Sequence, residues 1–216
     1  VTHVVGLDVV QQIGRDYEHA DIEYLQGSAE MIPCEDDSFS VVSCVATLEH
    51  VPNPANALRE MIRVARPGGT VFCHVAPLWN SPFGHHLNHV FPDTPWFHVF
   101  NRTLEDAQQQ FKDRLDDIAG HARVREHLRY VYCSQDFNRR SVAHYKQAIA
   151  SIWQDACPVW VKFGISSQAE RLLAELDPEI SEGIPVEELV VDQLQVVFRK
   201  MASLGTATGG SAGQRV

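Results

Sequence analysis

The stretch from residue 39 to residue 75 leaves a folding chain little choice. Two short apolar runs, residues 39–46 and 70–75, enclose a segment with the marks of one helix. Asn53 can cap it, Pro54 stands at its first position, and Leu58, Met61, Ile62 and Ala65 recur at core spacing before Arg66-Pro67-Gly68-Gly69 stops it. The pattern predicts a helix over residues 54–65. Residues 3–9 and 22–26 are two more apolar runs, and runs of this kind are strands covered on both faces. Strands alternating with helices over short connections predict an α/β fold, a doubly wound and mostly parallel sheet.

The rhythm breaks from about residue 78 to residue 129, where aromatic, Pro and His residues precede polar helical sequence. That is too long for an ordinary connection, and insertions of such length usually carry function. Helices resume at residues 141–156 and 167–176, and residues 189–198 read as a last strand. The organisation expected is one domain over residues 1–204, with residues 78–136 as a substrate-capping insertion. Residues 205–216, rich in Gly, Thr and Ser, have nothing to bury and are expected to be a disordered tail.

The formal charge of −10 comes without an extended block of Lys or Arg, which argues against nucleic acid as a partner. No apolar run approaches the roughly 18 residues of a membrane span, so no membrane partner is expected. The five cysteines, Cys34, Cys44, Cys73, Cys133 and Cys157, are scattered and show no C-x-x-C spacing. They read as small core residues in a reducing cytoplasm, with neither a disulfide framework nor a zinc knuckle.

Three segments carry chemistry at the predicted carboxyl ends of strands, where open α/β sheets bind ligands. In Val4-Val5-Gly6-Leu7-Asp8 a carboxylate ends an apolar strand; it can accept hydrogen bonds from both hydroxyls of a ribose, or serve as a turn or cap. Gln26-Gly27-Ser28-Ala29-Glu30-Met31-Ile32-Pro33 offers free backbone amides to a flat purine edge, or forms an acidic surface turn with Glu35-Asp36-Asp37. The third is Phe39-Ser40-Val41-Val42-Ser43-Cys44-Val45-Ala46-Thr47-Leu48-Glu49-His50-Val51-Pro52-Asn53-Pro54, continued by Ala57-Leu58-Arg59-Glu60 and Arg63-Val64-Ala65-Arg66-Pro67-Gly68-Gly69-Thr70.

This last run resembles the fourth-strand motif and following helix of class I S-adenosylmethionine-dependent methyltransferases of the small-molecule, type 11-like group. The likeness covers about residues 1–77, with a fainter match at Phe137-Asn138-Arg139-Arg140-Ser141. It implies S-adenosyl-L-methionine as cofactor, with Asp8 on the ribose hydroxyls, Ser28, Ala29 and Glu30 beside the adenine, and Val45, Thr47 and Leu48 along the methionine end. Glu49 and His50 would open the helix near the transferring methyl group. Ser28 departs from the Asp usual at its position, which weakens the adenine contact, and Ser40 replaces the usual Asp of S-F-D. The family's first strand and G-x-G-x-G loop would lie upstream of His3 and are not in this sequence, which starts on Val1. The resemblance therefore implies an N-terminally truncated chain that binds cofactor poorly.

After the predicted fifth strand comes Pro77-Leu78-Trp79-Asn80-Ser81-Pro82-Phe83-Gly84-His85-His86-Leu87-Asn88-His89, then Pro95-Trp96-Phe97-His98. Histidine is suited to remove a proton from a substrate hydroxyl near neutral pH. Three readings stand: a general base with a substrate clamp, structural histidines packing an aromatic lid, or a metal site. Pro82 and Gly84 argue for a loop rather than a metal-binding helix, so no metal is expected. The expected chemistry is transfer of a methyl group to a small-molecule or sugar acceptor, at a hydroxyl. His85 or His86 is expected as base ahead of His50, and Trp79, His89 and Trp96 as substrate contacts. A degenerate, non-catalytic binding module is the alternative, and a nucleotide-dependent oxidoreductase a second, since Asp8 would suit a dinucleotide ribose too.

Overall fold

In the computed structural model, residues 3–11, 19, 21–165, 167–176 and 181–202 are described; the expected tail at 205–216 lies outside them. The elements run β1 (Val4–Asp8), β2 (Ile22–Gln26), β3 (Phe39–Val45), α1 (Pro54–Val64) and β4 (Ala65–Val75), followed by α2 (Phe97–Phe100) and α3 (Leu104–Gln110). Next come β5 (Ile118–Ala119), β6 (Ala122–Arg123), α4 (Val124–Cys133), α5 (Val142–Ala150), β7 (Ala156–Ile165), α6 (Ser167–Glu175), α7 (Val186–Val190) and β8 (Val191–Lys200).

Helix α1 forms as its sequence dictates. Asn53 Oδ1 accepts from the Asn56 backbone N–H at 3.2 Å, Pro54 fills the first turn, and Ala57, Leu58, Met61 and Ile62 are buried. The chain passes directly from α1 into β4, and Gly68 takes the left-handed conformation (φ 74°) that a residue with a Cβ resists. β4 then runs parallel to β3, with Val42 opposite Val71 and Cys44 opposite Cys73.

The main sheet has the order β3-β4-β8-β7, with β8 antiparallel to both of its neighbours. β1 and β2 form a separate parallel pair. One face of the main sheet packs Val71, Cys73, Val75, Leu194, Val196 and Phe198 against α1 and α5 in a single core. The other face leaves Val41, Val45 and Trp160 exposed. The α/β class expected from the sequence is what the chain adopts. The expected helix over residues 141–156 instead ends at Ala150, and after a turn the chain enters β7 at Ala156.

The long connection between β4 and α5 carries a core of its own. Leu87, Phe91, Phe97 and Phe111 pack with Val124, Leu128 and Val131 of α4. Cys133 and Cys157 are exposed, against the expectation that all five cysteines fill the core; Cys73 alone is fully buried. Among the described residues no helix is long and apolar enough to cross a membrane.

Candidate active site

Asp8 pairs in register with Gln26, so β1 and the segment after β2 leave their sheet together. The Gly27 N–H donates to the Asp8 carbonyl at 2.8 Å. Ser28 bridges to Met31, and its Oγ accepts from the Glu30 N–H at 3.1 Å. The Glu30 carboxylate then reaches the start of α1, accepting from the Asn53 N–H at 3.1 Å and the Asn56 side chain at 3.4 Å. A helix start has unpaired N–H groups and a positive dipole end, so an anion there is stabilising. Because α1 follows β3, this tie brings the carboxyl ends of β2 and β3 to one edge.

On that edge Asp8 is exposed, its Oδ1 accepting from the Val10 N–H at 3.2 Å. Val45 and Thr47 are exposed as well, and Ala29 is half-buried against the core. Two expectations need correction. The Leu48 side chain is 1% exposed and belongs to the core, so it cannot line a ligand. Glu30 has its carboxylate engaged by α1, where it ties two segments together rather than facing a ligand.

Beyond β3 the turn carrying Glu49 and His50 is pinned from a distance. The Asn138 N–H donates to the Glu49 carbonyl at 3.0 Å, and Asn138 Nδ2 to the carbonyls of Leu48 and Val51 at 2.6 and 2.8 Å. Arg139 spends its donors on the carbonyls of Val131, Ser134 and Phe137, and its guanidinium lies 5.2 Å from the centre of the Trp79 ring. Glu49, Pro77, Trp79, His86, Phe137 and Arg139 are among the residues enclosing a cleft of about 170 Å³, counting its open mouth. His86 (φ 62°) and Arg139 (φ 53°) hold the left-handed backbone conformation, as does Ala46 (φ 48°) at the end of β3. Such strain in residues with a Cβ costs about 1–3 kcal/mol each and gathers at functional sites.

The histidines divide by burial. His85 has no exposed surface; its Nδ1 accepts from the Leu87 N–H at 3.0 Å, and its ring packs on Phe97 and His98. Burial pushes its pKa down to about 2. It is a neutral core imidazole, and the expectation of His85 as a base is corrected. His98, outside the expected site, is buried likewise, pushed down to about 4, with Nε2 bonded to the Trp79 carbonyl at 2.6 Å. His86 lines the cleft, and burial, then the nearby His50, lower its pKa to about 4.

His50 is exposed, with its ring 5.2 Å from that of His86. Its Nδ1 sits 2.6 Å from the Asp136 carbonyl, so Nδ1 carries the hydrogen and, in the neutral ring, Nε2 keeps a free lone pair. Of the three expected bases, His86 therefore lines the cleft and His50 stands against it, while His85 is sealed away from it.

Of the expected substrate contacts, Trp79 lines the cleft. Trp96 does not: it is 1% exposed and its Nε1 donates to the Leu189 carbonyl at 3.1 Å. His89 is exposed and stands near His127 rather than at the cleft. Among the described residues no three His, Cys, Asp or Glu side chains gather as a metal site would need. Sequence reasoning missed the clamp formed by Phe137, Asn138 and Arg139, although their run was a fainter part of the family resemblance.

Residues 2–73 match the family model described as a methyltransferase domain. The chain is 30% identical over 139 residues to a demethylmenaquinone methyltransferase of Listeria monocytogenes, covering 57% of this chain and 56% of that protein. It is 38% identical over 76 residues to a ubiquinone biosynthesis O-methyltransferase of Pseudomonas entomophila, covering 32% of this chain and 33% of that one. The chain thus spans about half the length of these relatives or less. An S-adenosylmethionine-dependent methyltransferase of Mesorhizobium loti shares the fold at a TM-score of 0.50 and 15% identity, over 92% of this chain and 80% of that one. Residues 2–73 therefore belong to the methyltransferase domain family, and the fold they enter is that of the class I S-adenosylmethionine-dependent methyltransferases.

Proposed function

We propose that this protein transfers a methyl group from S-adenosyl-L-methionine to a hydroxyl of a small-molecule acceptor, a sugar or a phenolic ring. The observation that supports the reading is the joining of strand ends: Asp8 and Ser28 leave β1 and β2 side by side, Glu30 ties that segment to the start of α1 beyond Val45 and Thr47, and His50 packs on His86 of the cleft. Asp8 would hold the ribose hydroxyls, Ser28 and Ala29 would border the adenine, and Val45 and Thr47 would flank the methionine end. The cofactor supplies an electrophilic methyl group, so the protein's task is alignment. Trp79 and Phe137 would orient the acceptor, and His50 Nε2 would take the hydroxyl proton as the oxygen accepts the methyl group and the carbon–sulfur bond breaks, leaving a neutral thioether. The Listeria relative is named a demethylmenaquinone methyltransferase and the Pseudomonas relative a ubiquinone biosynthesis O-methyltransferase, names that support a small ring-bearing acceptor. Free cysteines suit a cytoplasmic setting.

The test is calorimetric titration of the chain with S-adenosyl-L-methionine, paired with transfer of labelled methyl to sugars and phenols. Weak, saturable binding that falls at least about tenfold in Asp8→Ala, a loss of roughly 1.4 kcal/mol, is the expected result. Unchanged affinity in Asp8→Ala removes the ribose assignment. Failure to label any acceptor removes the catalytic reading.

A further inference from the structure

His50 stands on a turn that is held mainly from outside. Within it the main chain closes on itself twice, the His50 N–H donating to the Thr47 carbonyl at 2.9 Å and the Val51 N–H to the Leu48 carbonyl at 3.3 Å. The remaining hold comes from a strap at residues 134–140, far along the chain. Asn138 supplies most of it. Its backbone N–H donates to the Glu49 carbonyl at 3.0 Å, and its Nδ2 donates to the carbonyls of Leu48 and Val51 at 2.6 and 2.8 Å, on either side of His50. Its Oδ1 accepts from the Arg140 N–H at 3.0 Å, and the Arg140 guanidinium reaches the Pro52 carbonyl at 3.0 Å. An amide suits this place because it brings two N–H donors for two carbonyls and an oxygen for the neighbouring N–H.

The same strap sets the proton on the imidazole. The Asp136 carbonyl lies 2.6 Å from His50 Nδ1, and a carbonyl only accepts, so that nitrogen carries the hydrogen. Which nitrogen of a neutral ring keeps its lone pair is decided by the bond the other one makes, and here it is Nε2. A general base needs such a partner behind it to hold its direction and its tautomer. A main-chain carbonyl can serve only if its loop is fixed. The Asp136 N–H rests on Ser134 Oγ at 2.9 Å and the Arg139 guanidinium on the Ser134 carbonyl at 2.8 Å, which braces the strap from one side, and Asn138 fastens it to the turn from the other.

We infer that Asn138 is the positioning residue of this site: by fastening the strap across the turn it aims His50 and keeps its proton on Nδ1, leaving Nε2 open to the acceptor. The inference rests on reading His50 as the base of methyl transfer. The Asn138 amide is spent on protein groups, so it acts through His50.

The test reads the imidazole directly and needs no cofactor. Long-range proton–nitrogen NMR of the full chain, labelled on histidine and recorded at about pH 8 where a free imidazole is neutral, shows the His50 proton on Nδ1; His50→Ala assigns the signal. Asn138→Ala removes the whole amide, and Asn138→Asp keeps the acceptor for the Arg140 N–H but loses the two donors. In both, the His50 proton moves to Nε2 or exchanges between the two nitrogens. His85, whose Nδ1 accepts from the Leu87 N–H, keeps its own pattern and reports an intact fold. In the methyl-transfer assay Asn138→Ala lowers kcat about tenfold or more with KM for the acceptor retained, and costs nothing further on a His50→Ala background. A proton on Nε2 in the unsubstituted chain, a His50 pattern unmoved by either substitution, loss of the His85 pattern in both variants, or a full additional loss on the His50→Ala background overturns the inference. A moved proton in a chain that transfers no methyl group would remove the proposed activity and leave the positioning of His50 standing; transfer undiminished in His50→Ala would remove the base and the role of Asn138 with it.

Discussion

Acidification should weaken this fold through His85 and His98. Both are buried and neutral, with pKa values held down to about 2 and about 4, whereas the unfolded chain titrates them near 6.5. Above that value neither state binds the proton and the histidines contribute no pH dependence. As pH falls through it the unfolded state is protonated first and gains, so stability is lost progressively between about 6.5 and the folded values. At pH 5 each of these two has withdrawn about 2 kcal/mol relative to pH 7.5, and the half-buried His86, held down to about 4, adds a loss of the same sign, against a typical total stability of roughly 5–15 kcal/mol. The assay is urea unfolding followed by tryptophan fluorescence at pH 7.5, 6 and 5. His85→Asn retains an acceptor for the Leu87 N–H but does not titrate, so its loss on acidification is smaller than that of the wild type by about 2 kcal/mol. Glu49, whose raised pKa acts in the opposite sense, is common to both proteins and cancels in the difference. A wild-type loss below about 1 kcal/mol, or an unchanged loss in His85→Asn, would refute the reasoning.

Two other substitutions probe the scaffold. A Cβ on Gly84 would stand 2.0 Å from the Trp79 carbonyl oxygen and 2.5 Å from that of Leu78, so Gly84→Ala must move backbone. It should cost about 3 kcal/mol or more by thermal melting, with an unchanged melting temperature as the contrary result. Arg63 bonds the Ile32 and Cys34 carbonyls, Asp36 and Glu60, linking α1 to the segment after β2. Arg63→Ala should cost about 2 kcal/mol and speed hydrogen exchange in β2. The same change lets the Glu60 pKa, held low first by its Arg63 bond, move back up in an NMR titration, and a fixed Glu60 pKa would contradict that cause.

The legible parts of the fold are those whose causes lie close together in the chain. Asn53, Pro54 and the spacing of Leu58, Met61 and Ile62 predicted α1 to within one residue of its end, and β2 emerged at residues 22–26 as read. β7 was missed because it opens with Ala156-Cys157-Pro158, and proline speaks against a strand. It is tolerated because β7 lies at the sheet's edge beside β8, which only the assembled sheet reveals. Residues 186–190, the first of which precede the expected last strand and the rest of which begin it, became a short helix, so that strand starts only at Val191.

Among the candidate site residues, the sequence by itself determined which groups emerge at strand ends: Asp8, Ser28, and the turn bearing Thr47, Glu49 and His50. Those positions follow from local periodicity and from where each apolar run stops. Only the tertiary structure decided which of the candidate side chains are sealed in the core and which face open space. His85 and His86 are adjacent in sequence, yet one is sealed against Phe97 and the other faces a cleft. The turn around Glu49 takes its shape from Asn138, 90 positions from the Leu48 carbonyl it holds. Burial and hydrogen-bond satisfaction are properties of the surroundings, and here the surroundings are supplied by distant parts of the chain.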